Sequence, residues 1–235
     1  MSTSAIIAVL FWAAIVIAVG VFWMRDRVIQ RRITESAARS LSIKLHGKLT
    51  HLDGQWRIDA AYEGRPVVLV LGGKFVVRGD MDSGPDFVPT LDIKTPCATT
   101  AQFCIHYNFL PGTAGSTHNL WSKVRGSKIT TGAGDFDSRF LVEGPVPSDA
   151  SVLDEQIRER MLLSQSAVHG HSLAGHSWLL RVGDGLVEGR EMFNEGDQAV
   201  LATEIVSETL SRIDLLCALA VSAEQRKPGG TRTMP

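Results

Sequence analysis

Cysteine is scarce in this chain of 235 residues, which contains only Cys97, Cys104 and Cys217. Such an odd and sparse set is a poor disulfide framework, and it fits a reducing compartment slightly better than an oxidising one. Neither sign of charge is in excess, because 24 Lys and Arg residues face 25 Asp and Glu residues. A dedicated nucleic-acid-binding domain normally has a basic excess, so no nucleic-acid partner is expected.

Motifs that would identify an enzyme are missing as well. The sequence has no Walker loop, no dinucleotide-binding glycine pattern, no G-x-S-x-G elbow and no H-E-x-x-H zinc signature. No cofactor is therefore expected, and the absence of these motifs favours a protein that is not an enzyme.

What the sequence does contain is one long apolar run near the N-terminus. Residues 5–24 read AIIAVLFWAAIVIAVGVFWM and include no charged side chain. As a helix, twenty residues extend about 30 Å, the thickness of the hydrocarbon core of a bilayer. The preceding MSTSA has no Lys or Arg, and no small-x-small cleavage site ends the run, which argues against a signal peptide. The run predicts an uncleaved transmembrane helix with the lipid bilayer as partner.

Basic residues follow the apolar run at once, namely Arg25, Arg27, Arg31 and Arg32. Basic residues next to a span stay on the cytoplasmic side. These arginines therefore predict a single-pass protein with its N-terminus outside and its C-terminal domain in the cytoplasm.

The rest of the chain predicts an α+β domain that is mainly antiparallel. SLSIKLHGKL, QWRIDAAY, RPVVLVLGGKFVVRG, FCIHYNFL and SRFLVEG have the alternation or β-branched content of strands, and Glu63-Gly64-Arg65 is typical of a hairpin turn. A short helix to about Gln165, a hairpin at Gly183-Asp184-Gly185 and a long amphipathic helix at about 197–223 follow. The predicted boundaries are an external N-terminus (1–4), the transmembrane helix (5–24), a basic juxtamembrane neck (25–40), the α+β domain (41–223, which could divide into two lobes near 145) and a flexible tail (224–235).

The segment TGAGDFDSRFLVEG, residues 131–144, resembles a T-G-(x)-x-x-F-D-x-x-F-x-V-x-G stretch of uncharacterised bacterial single-span membrane proteins. In those proteins the stretch precedes a short helix and a hairpin. The resemblance implies a bacterial origin, and hence the cell inner membrane, together with a tethered α+β domain. It implies no activity and no catalytic residue.

Three histidines form the densest group of metal-capable side chains, His169, His171 and His176 in VHGHSLAGHSW. Neutral imidazole is the commonest protein metal ligand. The interspersed glycines and the lack of Asp or Glu favour a polar surface loop instead. No metal site is favoured, and these histidines are the candidates should there be one.

A second group, Cys97, Cys104, His106 and His118, has the spacing C-x6-C-x-H-x11-H. Paired zinc ligands usually lie two to four residues apart, so six intervening residues are too many. Cys104 and His106 would share one strand face, which makes a fragment of a site conceivable. A buried Cys104 that acts as a small hydrophobic residue is favoured.

The glycines of TGAGDFDSR, residues 131–139, invite a phosphate-binding interpretation, but no Lys-Ser/Thr pair follows them. We expect a glycine turn that leads directly into a strand. Phe136 and Phe140 would then pack inward, and Asp137 would pair with Arg139 on the surface.

These observations favour a membrane-anchored accessory or scaffold protein, which would contact a protein partner or a second copy of itself. One alternative is a tethered metal-binding or hydrolytic enzyme that uses the His-rich loop or residues 97–118. Another is a small-ligand sensor with a pocket between the sheet and the terminal helix.

Overall fold

The computed structural model describes residues 3–76, 86–107, 127–168, 178–192 and 198–225. The helices are α1 (Thr3–Lys44), α2 (Gly134–Arg139), a 3-10 helix (Pro147–Val152), α3 (Glu155–Val168) and α4 (Gln198–Gln225). The strands are β1 (Lys48–Leu52), β2 (Gln55–Tyr62), β3 (Arg65–Val76), β4 (Asp86–Pro96), β5 (Phe103–Tyr107), β6 (Ser127–Ile129), β7 (Phe140–Gly144), β8 (Trp178–Gly183) and β9 (Leu186–Met192).

The described strands form one antiparallel sheet of nine strands, in the order β1-β2-β3-β4-β9-β8-β5-β7-β6. Tight turns join β1 to β2, β2 to β3 and β8 to β9. Glu63 and Gly64 form the turn between β2 and β3, and Asp184 and Gly185 form the turn between β8 and β9. All four residues have positive φ, as a two-residue hairpin loop of this type requires. The hairpins predicted at these two positions are present.

One face of the sheet is apolar, because alternate residues of each strand point to the same side. The register places a row of small or apolar residues across eight strands, and all of them are buried: Ile58, Leu69, Ile93, Gly189, Leu180, Ile105, Val142 and Ile129. Helix α4 approaches closely at Gly189, where an added Cβ would lie 3.1 Å from a Leu216 methyl group. The core therefore lies between this face and the helices.

Helices α1 and α4 contact each other and cover the apolar face over β1–β4 and β9, and α2 and the 3-10 helix contact β7. From α1, Ile33, Ala37 and Leu41 are buried at a spacing of four residues, which places them on one side of the helix, and the buried Leu45 follows directly after its end. The strand expected at SLSIKLHGKL is therefore wrong over its first residues. Ser40 to Lys44 continue the helix because Leu41 completes this buried stripe, and a strand starts only at Lys48.

The predicted transmembrane helix is a second correction. Among the residues that the structure describes, no helix is both long enough and apolar enough to cross a membrane. The apolar run is not a self-contained element, because α1 passes without a break from Thr3 through the arginines to Lys44 and ends in the core of the domain. The N-terminal span in the predicted fold, and the single-pass location in the inner membrane deduced from it, are therefore wrong. The fold is α+β with a large antiparallel sheet.

The segment TGAGDFDSR also differs from the expected turn and strand, since Gly134–Arg139 form helix α2 before β7 begins. The Asp137 carboxylate accepts hydrogen bonds from the Thr131 N–H, at 3.0 Å, the Thr131 hydroxyl, at 2.8 Å, and the Gly132 N–H, at 3.0 Å. These bonds fold the chain back on itself and favour a helix over an extended strand. Phe136 and Phe140 are buried with ring centroids 4.7 Å apart, so both do pack inward.

Within the part of the chain that the structure describes, an ion pair lies inside the core, between the sheet and α4. Arg212 donates to the Glu191 carboxylate at 3.2 and 3.3 Å, and the two side chains are only 5% and 3% exposed. Removing one partner of a buried pair leaves a charge that neither water nor protein satisfies. This pair therefore links α4 to β9 in a way that makes the loss of either partner alone unfavourable.

We predict that Arg212→Leu lowers the free energy of unfolding by roughly 3–5 kcal/mol, because Glu191 is left buried and uncompensated. The double variant Glu191→Leu/Arg212→Leu should be more stable than Arg212→Leu. Urea denaturation of the two variants and the wild type measures both differences. A loss below about 1 kcal/mol in Arg212→Leu would show that the pair is dispensable.

Candidate functional sites

The face of the sheet opposite the core is polar and carries a row of alternating charges. Lys94 pairs with Glu188 at 2.9 Å, and Glu188 pairs with Arg181 at 3.2 Å. The register continues this row from Arg181 to Cys104 on β5 and then to Glu143 on β7. Cys104 therefore lies between a basic and an acidic side chain.

Cys104, His106 and Glu143 form a compact cluster at this position. Cys104 and His106 alternate on β5 and so share a face, and Glu143 is the direct cross-strand partner of Cys104. One potential metal-binding atom from each residue lies within 4.8 Å of those of the other two. Cys104 is buried, and the other two are half-buried. We call these three residues the Cys-His-Glu cluster.

The surroundings of Cys104 keep its thiol protonated at neutral pH. Burial raises its pKa to about 11, the negative charge of Glu143 adds to the rise, and Arg181 opposes it. A thiol in this state is a weak nucleophile, because the thiolate is the reactive form. The Cys–His pair therefore does not have the electrostatics of a catalytic cysteine.

Of the four residues in the C-x6-C-x-H-x11-H spacing, the cluster includes two. Cys97 lies instead against α4, where its thiol contacts the Ala220 carbonyl oxygen at 3.5 Å. His118 lies outside the described residues, as do the candidates His169, His171 and His176.

Glu143 is the residue that sequence reasoning missed. SRFLVEG was predicted as a strand, and the alternation of side chains along a strand places Glu143 and Leu141 on the same face. Nothing in the sequence indicates that this strand pairs with β5, since the two are separated by more than thirty residues in the chain.

A cleft of about 430 Å³ opens elsewhere, between the β2–β3 hairpin, α3 and α4. Its lining includes Tyr62, Arg65, Arg160 and Asp214, and Arg160 pairs with Asp214 at 3.0 Å. Burial and then the charge of Asp214 raise the pKa of Tyr62. The volume suits a small ligand, but these cations already have acidic partners in the protein. The small-ligand sensor stays a prediction.

The rim of this cleft is held by a bidentate ion pair. Arg65 donates to the two oxygens of Glu224 at 2.9 and 2.6 Å, and the Ala98 N–H donates to the same carboxylate at 3.2 Å. The Arg65 hydrogen bonds lower the pKa of Glu224, with the Ala98 N–H acting in the same direction. The pair joins the end of α4 to the β2–β3 hairpin.

The apolar run occupies the first part of α1, where those of its side chains that the structure describes stand away from the core. Phe11, Trp12, Val16, Ile17, Val19, Val21 and Met24 are each between 62 and 68% exposed. We call residues 11–24 the apolar segment. Of the arginines predicted to flank a membrane, Arg31 and Arg32 are exposed on α1, whereas the side chains of Arg25 and Arg27 are outside the described set.

Comparison of the chain with protein-family models, with curated proteins and with solved structures found no match. The resemblance carried by residues 131–144 stays a prediction. The features that bear on function are therefore the Cys-His-Glu cluster, the cleft and the apolar segment.

We predict that Glu224→Gln lowers the free energy of unfolding at pH 7 by about 1 kcal/mol, the range of a partly exposed pair. Because the pKa of Glu224 is lower in the folded state, its stabilisation is present above the ordinary glutamate pKa of about 4.3 and is lost as the pH falls below that value. The difference between wild type and variant should therefore shrink in urea denaturation at pH 3. The matched variant is Glu63→Gln, an exposed acid on the same hairpin, which should stay within about 0.5 kcal/mol of wild type at both pH values. A gap for Glu224→Gln that does not change with pH would contradict this assignment.

Proposed function

We propose that this chain is an accessory or scaffold protein that assembles with other protein chains through the apolar segment of α1. One observation carries the proposal, namely that seven large apolar side chains between Phe11 and Met24 are each more than 60% exposed. A group of this many large, exposed apolar side chains is rare on a monomeric protein, and such groups mark sites where another molecule packs.

Burial of these side chains would supply enough free energy for assembly. Each large apolar side chain contributes about 1.5–3 kcal/mol when it is fully buried. Partial burial of seven gives on the order of 10 kcal/mol, which is comparable with the estimated 4–15 kcal/mol entropic penalty of association. A stable complex therefore needs most of the segment to be covered.

A second copy of the chain is the partner that this segment fits best. At 100° per residue, Phe11, Trp12 and Ile17 point in widely different directions around the helix. A helix that is apolar on all sides needs neighbours on more than one side. Copies of the same helix provide such neighbours, and Ala13 and Ala14 allow close approach between them. We therefore infer a bundle of α1 helices from three or more chains.

The continuity of α1 makes this arrangement a scaffold. No proline lies between Phe11 and Lys44, and the same helix buries Ile33 and Leu41 in the domain. Each copy would therefore hold its α+β domain at a defined distance from the bundle, about 1.5 Å per residue along the helix.

We predict that the purified full-length chain forms a discrete oligomer, with a mass that is an integer multiple of 25.5 kDa. Val16→Glu/Ile17→Glu should dissociate it, because two charges cannot be buried in an apolar bundle. The matched control is Leu52→Glu/Leu163→Glu, which changes two apolar side chains of similar exposure outside α1 and should leave the mass unchanged. Size-exclusion chromatography with light scattering measures each mass.

A cross-linking experiment tests the same contact directly. The three native cysteines are buried, so a cysteine introduced at an exposed position reports on its own surroundings. Ala13→Cys should form an intermolecular disulfide on mild oxidation. Ser148→Cys, at an exposed position in the 3-10 helix, should not. A monomer, a polydisperse aggregate, or a chain that associates only with phospholipid vesicles would overturn the proposal.

A further inference from the structure

We infer that Cys104, His106 and Glu143 form a binding site for a divalent transition metal of the zinc type. The three residues lie on the polar face of the sheet, and their potential ligand atoms lie within 4.8 Å of one another. The inference uses a different part of the chain from the apolar segment, and it is independent of the proposed assembly.

The chemistry of the three ligands selects the class of metal. A thiolate is a soft ligand and imidazole is intermediate, whereas calcium and magnesium bind oxygen atoms almost exclusively. A set of one sulfur, one nitrogen and one carboxylate oxygen therefore favours zinc, or cobalt in its place. Acidic clusters on protein surfaces have no such selectivity.

The distances are compatible with zinc after small side-chain movements. Zinc binds sulfur at about 2.3 Å and nitrogen or oxygen at about 2.0–2.2 Å, which places tetrahedral ligands roughly 3.3–3.7 Å apart. In the structure the potential ligand atoms lie within 4.8 Å of one another, a bound about 1 Å greater than the separation in a zinc site. His106 and Glu143 are both half-buried, so rotation about their side-chain bonds is the movement that metal binding would require.

The backbone that presents the ligands is held firmly from the core side. Ile105, between the two ligands on β5, is fully buried and lies between Val142 of β7 and Leu180 of β8. These contacts hold the pleat that directs Cys104 and His106 to the opposite face. Val142, next to Glu143, is fixed in the same way. The site is thus built on paired strands rather than on loops, which favours a defined geometry.

Charge around the cluster also suits a divalent cation. On binding, the Cys104 thiol gives up one proton to solvent, so the thiolate and the Glu143 carboxylate together balance the two positive charges. Among the described residues, two cations adjoin the cluster in the row, namely Arg181, the cross-strand partner of Cys104, and Lys128, the cross-strand partner of Glu143. Arg181 is paired with two acidic side chains, which largely neutralises its charge. Lys128 is exposed to solvent on the edge strand β6, which screens its charge.

Three protein ligands leave one tetrahedral position for water or for a bound molecule. Structural zinc sites normally have four protein ligands, and sites with three are those in which zinc acts on a water or a substrate. Within the described residues, the cluster has the second pattern.

Cobalt titration of the full-length chain tests the site, because a cobalt–thiolate bond gives a charge-transfer band in the near ultraviolet. We expect this band at one cobalt per chain in the wild type, and its loss when zinc is added in equal amount. Cys104→Ser should abolish the band. Cys97→Ser and Cys217→Ser, which change the two other buried cysteines, should retain it.

Zinc affinity, measured by competition with a chromophoric chelator, gives the second readout. Cys104→Ser and His106→Gln should weaken binding by more than about 100-fold, beyond the 10–100-fold typical of residues that only support a ligand. Circular dichroism of each variant checks that it is folded. A wild-type chain that gives no cobalt–thiolate band would overturn the inference whatever the variants do. Binding that survives in folded Cys104→Ser would place the metal elsewhere, for example on the histidines of 169–176, and would overturn it as well.

Discussion

The fold depends on one constraint: its nine-stranded antiparallel sheet buries its apolar side chains on one face. A shift of any strand by one residue would turn its apolar side chains toward solvent, so the register is strongly specified wherever the core face is covered. The row that runs from Ile58 to Ile129 shows the constraint at its strictest, because every member is buried. The helices satisfy it from one side: α1 and α4 lie over β1–β4 and β9, and α2 and the 3-10 helix lie over β7 and β6.

The same register that buries one row determines what stands on the other face. Because Ile105 must point into the core, its neighbours Cys104 and His106 must point away from it. Because Val142 pairs with Ile105, Glu143 comes to lie beside Cys104. The Cys-His-Glu cluster is thus a consequence of the packing of Ile105 and Val142 in the core. The alternating charges from Lys94 to Arg181 follow from the same alternation of side chains along each strand.

Local features of the fold could be predicted from sequence, and the long-range ones could not. Glu63-Gly64 and Asp184-Gly185 encode their turns in two residues, and the stripe of α4 is visible in its own sequence. By contrast, Leu41 reads as part of a strand until one knows that Ile33 and Ala37 share its buried face. The order β8-β5-β7 joins strands that are distant in the chain, so no local pattern could place Glu143 beside Cys104. The apolar run was assigned a span from its length, its lack of charge and the arginines that follow it, but no helix among the described residues is long and apolar enough to cross a membrane.

The two inferred activities can coexist because they use opposite sides of the sheet. Helix α1 covers the core face, and its apolar segment extends from that layer, whereas the cluster lies on the polar face. A bundle of α1 helices would therefore gather several polar faces without covering them. Since α1 is one continuous helix from the segment to the core, its length would set how far these faces lie from one another. A metal bound on each would then be presented at a set spacing, which is the property that distinguishes a scaffold from a set of independent domains.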